Sequence, residues 1–161
     1  MAILESNQLI STAFEPKLQN RFICYVDGIP TYMIKKVSRP KIKNNIVVID
    51  HINTQRKVKG KTTWDNVNME LYDPISPSGA QVIMEWQRLH SEQITGRDGY
   101  SDFYKKDVTF NMIGGPGDIV EEWVLKGAMI ESIDFGEGDW GSDAPTMINL
   151  VLAIDSAILQ Y

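Results

Sequence analysis

The chain has 161 residues, 43% hydrophobic and 23% charged, which is enough apolar material for one self-sufficient core and excludes wholesale disorder. A net charge of −5 excludes a molecule whose whole surface grips phosphates, because that demands a dominant basic face. The lone Cys24 excludes an internal disulfide and a thiolate metal cage, and no apolar run approaches the roughly 20 residues of a membrane span.

A single domain over residues 1–161 is expected. Residues 1–5 (MAILE) lack the basic start and long apolar stretch of a secretory signal, so a cytoplasmic product is expected. Residues 21–27 (RFICYVD) are short, aromatic and β-branched, and Gly28-Ile29-Pro30 closes them as a turn. Residues 31–38 then read as the returning arm of a hairpin. The region 39–61 has no core pattern apart from a strand candidate at 46–52. Its Lys-Asn-Asn at 43–45 and Lys-Gly-Lys at 59–61 are turn signals, so it is expected to project as a long arm or hairpin. Between 62 and 72, Val67, Met69 and Leu71 alternate with Asn66, Asn68 and Glu70, the pattern of a half-buried strand.

A helix is expected over about 77–94. Ser76-Pro77 offers an N-cap with proline at the first helical position, and Ser78 with Gln81 offers an alternative capping box. Val82, Ile83, Trp86 and Leu89 fall at helical spacing and are expected to anchor it in the core, plugging the open end or face of a barrel; Thr95-Gly96 ends it. Further on, Val108, Phe110 and Met112 alternate with polar residues. Residues 121–126 put Trp123 and Leu125 on one face. Met129, Ile133 and Phe135 share a face that Glu131 interrupts. The last candidate strand, 146–155, presents Ile148, Leu150, Leu152 and Ile154 on one side and Met147, Asn149, Val151 and Ala153 on the other. A strand this apolar on both faces is covered on both, and a second subunit is one possible cover.

No enzyme emerges. Gly114-Gly115-Pro116-Gly117-Asp118 has the glycines of a phosphate loop, but Pro116 removes a donor and no Lys-Ser/Thr follows, so a tight turn explains it better. His51 and His90 form no spaced ligand set and lie near no nucleophile motif. Asp134, Glu137, Asp139 and Asp143 do not match the twelve-residue calcium loop, and neither metal nor cofactor is expected. Trp86 and Trp123 sit on apolar faces, whereas Trp64 and Trp140 border loops and suit contacts between subunits.

Charge is distributed unevenly. Between Lys35 and Lys61, nine cations (Lys35, Lys36, Arg39, Lys41, Lys43, Arg56, Lys57, Lys59, Lys61) face one anion, Asp50. Between Asp118 and Asp143, eight anions, among them Glu131, Asp134, Glu137 and Asp139, face only Lys126. Two such windows can neutralise each other within one subunit, form separate solvated faces, or attract each other between copies. If they lie at opposite ends of the fold, association is head-to-tail and builds rings or filaments.

Four patterns in order resemble the tail tube proteins of contractile-tailed phages and the inner-tube proteins of related injection machines. They are the opening strand and hairpin at 22–32, the stretch 56–73 (RKVKGKTTWDNVNMELYD), the helix with Trp86 in its middle, and the set WVLKGA, IDFG and INLVLAID from Trp123 to Asp155. The resemblance covers about 14–161; 136–145 is the part that departs most. It implies a twisted β-sandwich or small barrel with one flanking helix. It also implies a structural subunit whose hexameric rings stack into a hollow tube, a conduit for DNA ejection inside a contractile sheath. The implied partners are further copies, the sheath, baseplate and tail-terminator proteins, and tape-measure protein and DNA passing through the lumen; the implied location is the virion, assembled in the bacterial cytoplasm. By the same resemblance, Arg39, Lys41, Lys43, Arg56, Lys57, Lys59 and Lys61 would meet Glu131, Asp134, Glu137 and Asp139 of the next ring, and Met147, Asn149, Val151 and Ala153 would face a neighbouring subunit. Alternatives are an inner-tube or tube-initiator protein of an injection or secretion device, and a β-rich carbohydrate- or calcium-binding module using Trp64, Trp140 and the acidic loop.

Overall fold

A computed structural model describes residues 13–161, so residues 1–5 and the first part of the expected 1–161 domain lie outside the described residues. Nine strands and one principal helix are found there. They are β1 (Phe22–Val26), β2 (Ile34–Val37), β3 (Ile42–Asp50), β4 (Gln55–Trp64), β5 (Val67–Tyr72), α1 (Gly79–His90), the single turn α2 (Ser101–Tyr104), β6 (Lys106–Ile113), β7 (Ile119–Asp134), β8 (Met147–Ala153) and β9 (Ser156–Leu159). Seven strands form one antiparallel path, β1-β6-β7-β8-β5-β2 with β9 on β7, and among the described residues β3 pairs only with β4.

The sixteen-residue β7 turns this path into a sandwich. Its first part pairs with β6 and β9, and its second part pairs with β8. Two bulges separate and bend them. Lys106 lies opposite Ala128 but Val108 lies opposite Leu125, so β7 carries an extra residue where Gly127 takes φ +65°. A Cβ there would stand 2.1 Å from Asp155 Oδ2, so glycine is required twice over. The second bulge, between Ile130 and Ser132, flips the strand by one residue. The core face therefore runs Leu125, Ala128, Ile130 and then Ile133, not Met129, Ile133 and Phe135 as the sequence pattern suggested; Phe135 is exposed.

Elsewhere alternation is a faithful guide. Val67, Met69 and Leu71 of β5, Val108, Phe110 and Met112 of β6, and Ile148, Leu150 and Leu152 of β8 are buried in one core with Ile83 and Trp86 of α1. The predicted mainly-β sandwich with one flanking helix is the observed architecture. No closed barrel forms among the described residues, because β1 and β2, the two ends of the path, do not pair.

Other expectations need correction. Residues 31–38 do return beside β1, but after a 3-10 turn at Thr31–Met33 they pair with β5, so the 21–38 hairpin is splayed open. The stretch 62–72 is two strands, broken at Asp65 and Asn66. Lys-Asn-Asn and Lys-Gly-Lys are not turns. Asn44 pairs with Thr62 and Ile46 with Lys59, so Asn45 faces both Gly60 and Lys61 in a bulge, and the true turn is at 51–54, closed by His51 N–H donating to Thr54 O at 2.8 Å. Glycine marked a bulge because a Cβ at Gly60 would sit 3.1 Å from Asn45 O.

The helix is shorter than 77–94. Ser78 is the N-cap residue, yet its hydroxyl makes no capping bond; Asp73 Oδ1 accepts from Gly79 N–H at 2.9 Å instead. The helix stops at His90, not at Thr95-Gly96. Ile83 and Trp86 are buried and Val82 is half-buried against the core, but Leu89 is exposed. The face that meets the sheet runs through residues 79, 83, 86 and 90, and Leu89 lies one helical step, about 100°, off it. His90 takes the place expected of Leu89: its Nδ1 donates to Trp86 O (3.0 Å), its Nε2 accepts from Ile130 N–H (3.1 Å), and its ring stacks on Tyr104. It is a neutral structural histidine that ties helix to sheet. Trp86 Nε1 donates to Tyr104 O at 2.8 Å, and α2 and β9 have no counterpart in the sequence reading.

Candidate assembly surfaces

The arm is the β3–β4 hairpin. Ile42, Ile46, Val47, Val48 and Ile49 are all at least 43% exposed, and a two-stranded ribbon apolar on both faces has little stability of its own in water. Its cations stand among these apolar residues: Arg56 is paired across the strands with Ile49, Lys57 with Val48 and Lys59 with Ile46. None of the ion pairs among the described residues involves Lys41, Lys43, Arg56, Lys57, Lys59 or Lys61. The arm therefore holds uncompensated positive charge, and neutralisation within one subunit does not account for it.

Arg39 is the exception. It donates to the buried carboxylate of Glu121, which also receives Lys17 Nζ and Trp123 Nε1. Burial pushes the Glu121 carboxyl up, but these hydrogen bonds and the Arg39 charge outweigh it and hold the group below the usual carboxylate range. Glu121 thus ties the segment before β1 and the root of the arm to the start of β7. Nothing in the local sequence marked it, since a glutamate at a strand end normally faces water.

The acidic residues occupy the end of β7 and the loop from 135 to 146. Glu131, in the second bulge, accepts from Asn66 Nδ2. Asp134 Oδ1 accepts from Gly136 N–H and Asp139 Oδ1 from Gly141 N–H, both at 2.9 Å. Ser142 N–H closes on Asp139 O, so Trp140 stands at the tip of a turn and is fully exposed. Glu137 and Asp143 are exposed. Trp64, by contrast, is half-buried against the core and offers less to a partner.

The arm and the acidic loop lie at opposite ends of β2, whereas Glu131, bonded to Asn66, stands at the arm's end. The arm leaves from the carboxyl end of β2, after Val37. The acidic loop enters β8 at Met147, which pairs with Tyr72, while the adjacent Leu71 pairs with Ile34 at the amino end of β2. On the outer face of β8, Met147, Val151 and Ala153 are half-buried and Asn149 is exposed.

Among the described residues no group of three His, Cys, Asp or Glu side chains is placed to hold a metal, and no helix is long and apolar enough to cross a membrane. Cys24 is buried, and burial pushes its thiol up to about 12.

No family model matches the chain, and no curated protein matches it. Solved structures do. A chain of the PVC extracellular contractile injection system, from its sheath–tube complex in the extended state, is similar over 99% of both chains, with 20% identity and a TM-score of 0.71. The tube-terminating cap of the anti-feeding prophage is similar over 92% of this chain and 93% of that one (17% identity, TM-score 0.75). Hcp1 from Flavobacterium johnsoniae follows, over 87% of this chain and 94% of its own (14% identity, TM-score 0.54). The resemblance read in the sequence holds as a shared fold.

Proposed function

We propose that this chain is the inner-tube subunit of a contractile, phage-like particle. Six copies form a ring, rings stack head-to-tail, and the result is a hollow conduit enclosed by a sheath and seated on a baseplate. The observation that carries the reading is polarity: an uncompensated basic arm and an acidic loop leave opposite ends of a fold shared with proteins of sheath–tube complexes. Such a pair of surfaces cannot be satisfied by a two-fold dimer of one patch with itself, but it is satisfied by every successive ring. Arg56, Lys57, Lys59 and Lys61, with Lys41 and Lys43, meet Asp134, Glu137 and Asp139 of the next ring, while Glu131 stays at the arm's end of its own subunit. Met147, Asn149, Val151 and Ala153 face a neighbour within the ring, whose strands extend the sheet and remove its exposed edges.

In a phage the lumen passes DNA and tape-measure protein, and the same subunit geometry serves an injection device. A terminator is the competing reading, favoured by the likeness to the anti-feeding prophage cap. Negative-stain microscopy of the purified protein separates them. A tube subunit gives open-ended hollow tubes of many rings, a terminator gives single rings, and monodisperse monomers at high concentration would overturn both.

A further inference from the structure

The seam where the sandwich fails to close, between β1 and β2, is a groove of about 950 Å³. That is the upper range of clefts that hold a small ligand. Its floor is apolar and aromatic: Phe22 and Phe110, stacked at 5.7 Å, with Met112 and Trp123. Its rim is basic. Lys17 and Arg39 are committed to Glu121, and Lys35 lies 3.8 Å from Glu70, but Lys36 and Lys41 enter none of the ion pairs among the described residues. An aromatic floor with a positive rim fits an aromatic side chain flanked by carboxylates.

The chain carries such a segment at its other end. Trp140 is wholly exposed at the tip of the Asp139–Ser142 turn, with Asp139 before it and Asp143 after it. The groove opens at the carboxyl end of β2, beside the arm root, and the turn belongs to the loop at the amino end. We propose that Trp140 of one copy seats in the β1–β2 groove of the next, with Asp139 and Asp143 beside Lys36 and Lys41. The inference rests on the head-to-tail reading above and adds to it the aromatic anchor of each junction.

The test uses the full chain in two single variants that leave the anchor and the rim cations in place, Gly141→Cys beside Trp140 and Asn20→Cys on the groove lining, each with a different mass tag. They are mixed at assembly concentration and treated with a short bismaleimide; Cys24 stays silent because it is buried. A mixed cross-linked dimer, absent when either variant is treated alone, is the expected result. A cross-link without tubes supports the docking and overturns the tube reading. Tubes without a mixed cross-link overturn the docking and leave the tube reading standing, and neither product overturns both. As a second measurement, Trp140→Ala raises the concentration needed for assembly by about 30-fold, as loss of a central aromatic anchor does, whereas Tyr100→Ala, at another exposed aromatic, leaves it unchanged. Equal effects of the two substitutions would count against the groove.

Discussion

Reversing three charges on the arm, Arg56→Glu, Lys57→Glu and Lys59→Glu together, isolates stacking from folding. All three side chains are exposed and none enters an ion pair among the described residues, so the monomer loses no internal ion pair. Exposed pairs contribute about 0.2–1 kcal/mol each, and reversal exchanges an attraction for a repulsion of similar size. At about 1 kcal/mol per site the three changes weaken each junction by about 3 kcal/mol, which raises the assembly concentration by roughly 150-fold. Light scattering across a dilution series reads that concentration, and thermal melting reads the fold. Salt supplies a second signature. The wild type assembles less readily as the Debye length falls from about 8 Å at 0.15 M to about 3 Å at 1 M, while the variant loses that dependence or inverts it. A variant that melts normally and assembles at the wild-type concentration with the wild-type salt response would show that the arm's charges carry no stacking contact.

Glu121 gives a pH signature. Its carboxyl titrates below the ordinary glutamate range, so its contribution to stability is fully present above about pH 4.3 and is lost as pH falls through the lowered value. Glu121→Gln should flatten the acid limb of melting temperature against pH, and an unchanged limb would show that the clamp contributes nothing. His90→Ala leaves the N–H of buried Ile130 without its acceptor and should cost about 1–3 kcal/mol in urea denaturation; a loss within error would mean water replaces the imidazole. Val151→Asp places a carboxylate on the outer face of β8, where the proposed ring neighbour sits. It should abolish rings in mass measurements while leaving the monomer's melting near wild type, and intact rings would move the subunit contact elsewhere.

The strands that alternate cleanly were legible because one face of each meets a single core: β5, β6 and β8 are read correctly from Val67, Val108 and Ile148 onward. Legibility failed where an inserted residue resets the face. Glu131 flips β7, and Gly60 sits in a bulge where its local chemistry suggests a turn. The helix end failed for a related reason, since Asp73, six residues away, supplies the cap that Ser78 offers locally. Of the assembly surfaces, the charge windows were visible in the sequence. Their placement at opposite ends depends on which strands pair, and the β1–β2 groove exists only because two edges far apart in the sheet path lie side by side, which no local pattern encodes.

Open-ended head-to-tail assembly is tested most directly by electron micrographs of the purified wild-type chain. Hollow tubes of indefinite length with a regular ring repeat, dissolving as salt is raised, are the predicted result. Compact monomers, or closed dimers related by a two-fold axis, at every concentration and ionic strength would contradict it.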